Sequence, residues 1–186
     1  MNKKLSMKLS SIHRLLVLSF GLLASAGIAA AQCSLYPIAL SVQSLNGVQP
    51  GAVIADIFNG SQPGNFGWLT WTGDPSTPTL VNSLTPPGDS YTYVDPFNPG
   101  NNQVQIGSWV QGKPGVSNSK SVRAALDNLE GIVITVPVWD EARGEGNNTL
   151  YHVVGFADIQ IVSYHLPSQN VISVLLIDIP DCGLHD

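Results

Sequence analysis

The first 31 residues limit what this chain can fold into, because they have the three parts of a secretory signal peptide. A basic start with four cationic side chains precedes an apolar stretch over residues 15–30, and residues 29–31 form an A-x-A cleavage site. The apolar stretch is shorter than the roughly 20 residues that a membrane-spanning helix needs. The sequence therefore predicts a signal peptide over residues 1–31 and a secreted or periplasmic protein with no membrane span after cleavage.

The charge of the remaining chain restricts its partners. Residues 32–186 are long enough for a single domain with its own core, and they keep four Lys and Arg residues against 13 Asp and Glu. Their formal charge is therefore −9, compared with −5 for the whole chain. Nucleic acids and anionic membranes both select for clustered cationic side chains. The sequence therefore predicts one extracytoplasmic domain whose partner is a protein or a cell-surface component and not a nucleic acid.

The two cysteines of the chain stand near opposite ends of this domain, at Cys33 and Cys182. Outside the cytoplasm such a pair is more often joined than free. A disulfide that closes a loop of this length would stabilise the fold by about 5 kcal/mol in the chain-entropy model. A lipid anchor on Cys33 is the alternative. Lipidation needs a small residue before the cysteine, and Gln32 is a poor fit.

The first half of the domain, up to residue 116, has short apolar segments between turn residues, and this pattern is typical of strands. We expect four strands, over residues 34–45, 51–58, 66–71 and 104–109. The segment between the third and the fourth, residues 72–101, is rich in proline and poor in apolar residues. It is predicted to be a long surface excursion, and loops of such length are uncommon unless they are functional or disordered.

The second half has a more regular pattern. Val122, Ala125, Leu126 and Leu129 recur with helical spacing, which predicts a single helix over about residues 117–130. Strands are expected over residues 132–139, 150–165 and 171–179, with a polar loop at residues 140–149. About seven strands and one helix predict a mainly β fold, a small barrel or sandwich in which the helix covers one end.

One short motif could carry nucleophilic catalysis. Ser117 and Lys120 match the S-x-x-K pattern at a predicted helix start, where a lysine one turn away can take the seryl proton. A helix-capping serine and a solvated lysine explain the same four residues without any activity. No K-T-G motif accompanies them. The sequence therefore predicts no catalytic residue, with Ser117 and Lys120 as the weak alternative.

Two further groups of residues are candidates for binding. Asp140, Glu141 and Glu145 crowd one predicted loop and could hold calcium, but they do not follow the EF-hand spacing, and a plain polar loop is the simpler interpretation. We therefore predict neither a metal nor another cofactor. The four tryptophans could form a platform for sugars, although buried tryptophans are commoner in a small β domain. They are Trp68, Trp71, Trp109 and Trp139.

A series of motifs over residues 64–177 resembles a known family. In chain order they are GNFGWL from residue 64, GSWVQG from 107, GVSNS from 115, VRAALD from 122, ITVPVWD from 134, YHVVGFA from 151 and YHLP from 164. This order resembles the C-terminal region of bacterial Tad (tight-adherence, Flp-type) pilus-assembly proteins of the TadE/TadG-like group. The resemblance implies an extracytoplasmic location and a role near the cell surface, such as association with a pilus, and it implies no catalytic residue.

These observations together favour an exported, non-enzymatic interaction protein of the cell surface or of a pilus. Its contacts are expected in the two polar segments, residues 72–102 and 140–149. Two alternatives remain open. One is an exported hydrolase of cell-wall or carbohydrate material, which would use Ser117 with Lys120 or Asp140 with Glu141. The other is a small carbohydrate-binding module, which would expose several coplanar tryptophans.

Overall fold

A computed structural model describes residues 33–57, 65–166 and 171–180 together with Cys182. The predicted signal peptide, residues 1–31, lies outside the described residues. Among them, no helix combines the length and the apolar character that crossing a bilayer requires.

Seven strands and two α-helices make up the regular structure of the described residues, which confirms the mainly β prediction. The strands are β1 (Leu40–Ser41), β2 (Val53–Ile54), β3 (Asn65–Thr70), β4 (Trp109–Pro114), β5 (Val133–Arg143), β6 (Leu150–His165) and β7 (Val171–Asp178). The helices are α1 (Thr77–Leu84) and α2 (Lys120–Asp127). Short 3-10 turns occur at Val42–Leu45, Ser90–Thr92 and Gly146–Asn148.

The seven strands form one mixed sheet around the long strand β6. One edge of β6 pairs with β5, while its other edge pairs with β4 at the start and with β7 at the end. The outer strands are β1 beside β5, β3 beside β4, and β2 beside β7, and only the β1–β5 pair is parallel. A single bridge joins Ile38 to Trp68. Because it is not continued into a ladder, the sheet is sandwich-like and does not close into a barrel.

Apolar side chains cover both faces of this sheet. On one face, Val122, Leu126 and Leu129 of the α2 region pack with sheet residues such as Ile134 and Ile159. The apolar stripe that the sequence predicted therefore faces the core. The other face holds a second cluster, which lies under the segment between α1 and β4 and includes Trp71, Tyr93, Val104, Val110 and Phe156.

Two bulges change which face the side chains of β5 and β6 occupy. Val138 pairs with Gly155 and Trp139 with Val153, so Val154 has no counterpart on β5. A strand alternates its side chains between the two faces, and one extra residue reverses that alternation. As a result, Val153 contributes to the second cluster, whereas Ala157, four residues later, belongs to the first.

The segment between β3 and β4 is more ordered than the sequence predicted. Residues 77–84 form helix α1 in place of an open excursion, and Leu80 and Leu84 are buried in the helix-side cluster. The prediction of a single helix was therefore wrong. Ser76 caps this helix by accepting a hydrogen bond from Thr79 N at 3.3 Å, and proline occupies its first turn, where no donor is lost.

Several predicted boundaries also differ from the structure. The predicted first strand shortens to Leu40–Ser41, because the Ser41 hydroxyl accepts a hydrogen bond from Gln43 N and caps a 3-10 turn. The fourth strand lies five residues later than predicted, at Trp109–Pro114. Strand β5 continues to Arg143, so the first four residues of the predicted 140–149 loop belong to the strand, and three of them, residues 141–143, are paired with β6.

The predicted disulfide is present in the structure. Cys33 and Cys182 are joined, with 5.7 Å between their Cα atoms and 149 residues between them in sequence. Both cysteines pack at the border of the second cluster. The bond therefore ties the chain before β1 to the chain after β7.

Candidate functional site

Three neighbouring strands present polar and aromatic side chains on the face opposite the second cluster. Trp109 of β4 is the register partner of His152 of β6, and His152 is in turn the partner of Glu141 of β5. Paired residues on adjacent strands share a face. Their chain neighbours Val110 and Tyr151 are buried in the second cluster. The three side chains therefore lie in one row on the outer face.

Trp109 is the centre of the contacts on this face. The guanidinium carbon of Arg143 lies 4.4 Å from the centroid of the indole ring, which is a cation–π arrangement. The imidazole of His152 lies 5.0 Å from the indole at an interplanar angle of 38°. Phe97, from the segment between α1 and β4, approaches edge-on with its ring centroid 6.5 Å away. We call Phe97, Trp109, Arg143 and His152 the aromatic surface.

Two carboxylates hold the polar members of the aromatic surface in place. Asp140 Oδ1 lies 2.8 Å from His152 Nδ1, and Glu141 accepts two hydrogen bonds from Arg143, at 2.7 and 3.3 Å. The hydrogen bond from Arg143 to Glu141 raises the pKa of the guanidinium. Asp140 has no partner on β6 because it is the extra residue of the β5 bulge. The bulge thus turns Asp140 towards the histidine.

Phe97 is held outward by its own turn. The Asp95 carboxylate accepts hydrogen bonds from Phe97 N at 2.8 Å and from Asn98 N at 3.1 Å, which is an Asx-turn arrangement. The phenyl group is 69% exposed. Solvent-accessible apolar groups that lie together, as Phe97 and Trp109 do, often mark a site of protein interaction.

The turn of Phe97 is fastened to the sheet by a buried tyrosine. Tyr93 donates a hydrogen bond from its hydroxyl to Trp109 O at 3.0 Å. Burial raises the pKa of Tyr93 to about 12, so the hydroxyl keeps its proton at neutral pH. The turn that carries the exposed phenyl group is therefore anchored beside Trp109.

Exposed apolar side chains concentrate in the same segment. Of the nine large apolar side chains that are exposed in the described residues, four lie within residues 91–106. They are Tyr91, Val94, Phe97 and Ile106. Three of these four residues belong to the predicted contact segment 72–102, and Phe97 among them contacts Trp109.

The predicted acidic residues do not come together. Asp140 contacts His152, Glu141 contacts Arg143, and Glu145 is exposed before the 3-10 turn of the β5–β6 hairpin. Within the part of the chain that the structure describes, no three His, Cys, Asp or Glu side chains are grouped as a metal site would need.

The four tryptophans occupy different environments. Trp68 and Trp71 are 0% and 1% exposed, and the partly exposed Trp139 packs against Tyr151 with 5.1 Å between ring centroids. Trp109 alone belongs to the aromatic surface. These positions do not form the row of coplanar, exposed tryptophans that the carbohydrate-binding alternative would need.

Ser117 and Lys120 are separated in their contacts. Lys120 is the exposed first residue of α2, and the residue that caps the helix is Ser119, whose hydroxyl accepts a hydrogen bond from Val122 N at 3.2 Å. Ser117 instead accepts a hydrogen bond from Lys113 Nζ. The sequence pattern singled out the serine but did not indicate this lysine.

Sequence reasoning did not predict the aromatic surface. The alternation of Trp139, Glu141 and Arg143 with Ala142 was a strand signal, but the polar character of these residues favoured a loop.

Comparison with known proteins identifies no relative, since no family model, curated protein or solved structure matches the chain significantly.

Proposed function

We propose that this protein is an exported interaction protein of the bacterial cell surface and that the aromatic surface binds its partner. The observation that carries the proposal is Phe97, an exposed phenyl group that its own turn holds outward beside Trp109. Tryptophan and arginine are the residue types that contribute most to protein–protein binding energy. The two segments that the sequence predicted to make contacts both contribute residues to this surface.

The location of the protein rests on two supports. The Cys33–Cys182 disulfide fits an oxidising compartment outside the cytoplasm. The predicted signal peptide accounts for how the chain would reach that compartment. Association with a pilus rests on the family resemblance of residues 64–177 and is the finer part of the proposal.

A protein is the partner that the aromatic surface fits best. Sugar rings stack on an open aromatic face, but the Arg143 guanidinium lies over the Trp109 indole. A partner that brings a carboxylate and an apolar group would meet Arg143 and Phe97 together. The partner is therefore expected to be a surface protein with an acidic and apolar patch.

Binding to intact cells tests the proposal. We expect fluorescently labelled protein to bind cells of the producing bacterium, and the F97A variant to bind at least about tenfold more weakly, since a central aromatic contact contributes about 2 kcal/mol or more. The matched control is V162A, because Val162 is also an exposed apolar residue but lies on β6 away from the site. Point substitutions are preferable to deletion of residues 140–149, which would remove paired residues of β5.

Two outcomes would redirect or reject the proposal. Binding that survives protease treatment of the cells would identify a carbohydrate as the partner. Equal binding of F97A and the unchanged protein, with both variants folded, would show that the aromatic surface is not the contact site.

A further inference from the structure

Lys113 is a buried amine that forms no close ion pair with any described residue. It is 5% exposed and is the one charged side chain among the buried polar residues that the structure describes. Lysine is almost never buried to this degree unless it is paired. In the described ranges, no carboxylate lies within ion-pair distance of its amine. Its recorded partner is the Ser117 hydroxyl, which accepts a hydrogen bond from Nζ.

Burial favours the neutral form of the Lys113 amine, which is the form that can act as a base. Desolvation lowers the pKa of Lys113, and the charge of Asp74, from the segment before α1, opposes the shift. On the α2 side, the Arg123 guanidinium is bound to Asn118 O, one residue beyond Ser117. A lysine desolvated in this way is neutral over a wider pH range and can accept a proton from a hydroxyl group.

Ser117 has a backbone conformation that side chains rarely adopt. Its φ angle is +50°, in the left-handed region that costs about 1 kcal/mol or more for a residue other than glycine. Such conformations persist where the surroundings fix them, and they concentrate at functional sites. Here the carbonyl groups on both sides are fixed, since Val116 O accepts a hydrogen bond from Trp68 Nε1 at 2.7 Å and Asn118 O accepts one from Arg123.

Ser117 and Lys113 differ in their exposure to solvent, as expected for a nucleophile and the base behind it. Ser117 is partly exposed to solvent, whereas Lys113 is buried. Ser117 stands between β4 and α2, and the chain enters the first turn of the helix three residues later.

We propose that Ser117 and Lys113 form a Ser–Lys dyad that hydrolyses an ester or amide of a small acyl group. Neutral Lys113 takes the hydroxyl proton while Ser117 Oγ forms a bond to the acyl carbon. The bond from that carbon to the leaving oxygen or nitrogen then breaks, and the ammonium group gives its proton to the leaving group. Water attacks the acyl-serine, Lys113 accepts the water proton and returns it to Ser117 Oγ, and a carboxylic acid is released. This activity is independent of partner binding at the aromatic surface.

Covalent labelling tests the dyad with a probe that needs no knowledge of the substrate. A fluorophosphonate forms an Oγ–P bond with an activated serine and releases fluoride. We expect a single adduct, located at Ser117 by peptide mass spectrometry, that is absent in S117A. The labelling rate should fall roughly 100-fold in K113M and in K113R, since neither variant supplies a neutral amine. The controls K120A and S121A, which change exposed neighbours, should label like the unchanged protein.

Two results of the labelling experiment would overturn the proposal. Absence of an adduct at Ser117, or an adduct whose rate is unchanged in K113M, would contradict the dyad. If neither Lys113 variant folds by circular dichroism, the pH profile of the unchanged protein decides. Its labelling rate should rise with pH and level off below the ordinary pKa of lysine, whereas a rate that does not change with pH would reject Lys113 as the base.

Discussion

At the scale of individual residues, Lys113 has the clearest functional interpretation. Its side chain is buried at the end of β4, and the Ser117 hydroxyl satisfies one of its three donors. Replacing Ser117 with alanine would leave the buried amine of Lys113 without this hydrogen bond. The dyad therefore affects stability as well as the proposed activity.

Lys113 makes the stability of the fold depend on pH. Burial lowers the pKa of its amine in the folded state, while the unfolded chain keeps the ordinary value, so between these two values the unfolded state binds more protons. The free energy of unfolding should therefore rise with pH through that window. Urea unfolding at successive pH values measures it. The rise should be smaller in K113M and intact in K120M, and a rise of equal size in K113M would contradict this explanation.

The ionisation of tyrosine side chains lowers the stability of the fold at high pH. Tyr93 and Tyr164 have pKa values raised to about 12, mainly by burial, whereas the unfolded chain ionises at about 10. Above pH 10 the unfolded state therefore loses protons that the folded state keeps, and stability should fall again. Ultraviolet titration should show the last tyrosines ionising near pH 12 in the folded protein. Titration of all five tyrosines near pH 10, with the fold intact, would contradict these environments.

At the scale of elements, the hairpin between β5 and β6 positions Asp140, Glu141 and Arg143. Its turn depends on Gly144, which has a φ angle of +78° and would place an added Cβ 2.2 Å from Asn148 O. Gly146 in the same turn also has a positive φ, of +54°, but an added Cβ there would meet no atom within 4 Å. Substitutions at the two glycines can therefore separate the cost of steric overlap from the cost of a positive φ angle.

Alanine substitutions should show this separation. We expect G146A to lower the free energy of unfolding by about 1 kcal/mol, the cost of the left-handed conformation alone. G144A should cost about 3 kcal/mol, because the backbone of the turn must move as well. Chemical denaturation of the two variants measures both values, and equal costs would show that the turn can accommodate a side chain at either position.

The elements also show why sequence reasoning succeeded in some places and failed in others. Helix α2 was predictable because Val122, Ala125 and Leu126 repeat with helical spacing and face the core. Helix α1 was missed because its sequence, TPTLVNSL, has only a short apolar pattern beside several prolines. The Ser76 cap and the first-turn proline were the available signal. Strand β5 was cut short because polar side chains on an outer sheet face look like a loop.

The candidate sites were less predictable than the elements, for a physical reason. Phe97 and Trp109 meet because Tyr93 and Asp95 fix an irregular turn, and no periodic pattern encodes that turn. Lys113 and Ser117 are four residues apart, a spacing that suggests contact only within a helix, yet they meet across the end of a strand. Ser117 was singled out from a motif that assigned it the wrong lysine partner.

At the scale of the whole molecule, the disulfide joins the two ends of the fold. The bond between Cys33 and Cys182 closes most of the domain into one loop and lies at the border of the second cluster. Changing both cysteines to serine should lower the free energy of unfolding by about 5 kcal/mol, because the unfolded chain regains its freedom. Denaturation of the variant, and of the reduced protein, measures this. A loss below about 1 kcal/mol in both would mean that the linked ends contribute little to stability.

The sheet, the disulfide and the two clusters together form a fixed support beneath the aromatic surface. Three strands and an anchored turn each contribute to that surface, so its geometry depends on the whole fold and not on one loop. A preformed surface loses less conformational entropy on binding than a flexible one does. This is the arrangement expected of a surface that meets a partner as it stands.

Site-specific photo-crosslinking on living cells tests the aromatic surface most directly. A benzophenone amino acid placed at position 97 should give a discrete crosslinked product with a surface component, whereas the same group at position 162, on another exposed apolar site, should give none. The product should diminish when Trp109 is also changed to alanine, because the partner then loses the neighbouring contact. Products of equal yield from positions 97 and 162, or a product from position 162 alone, would contradict the aromatic surface as the binding site.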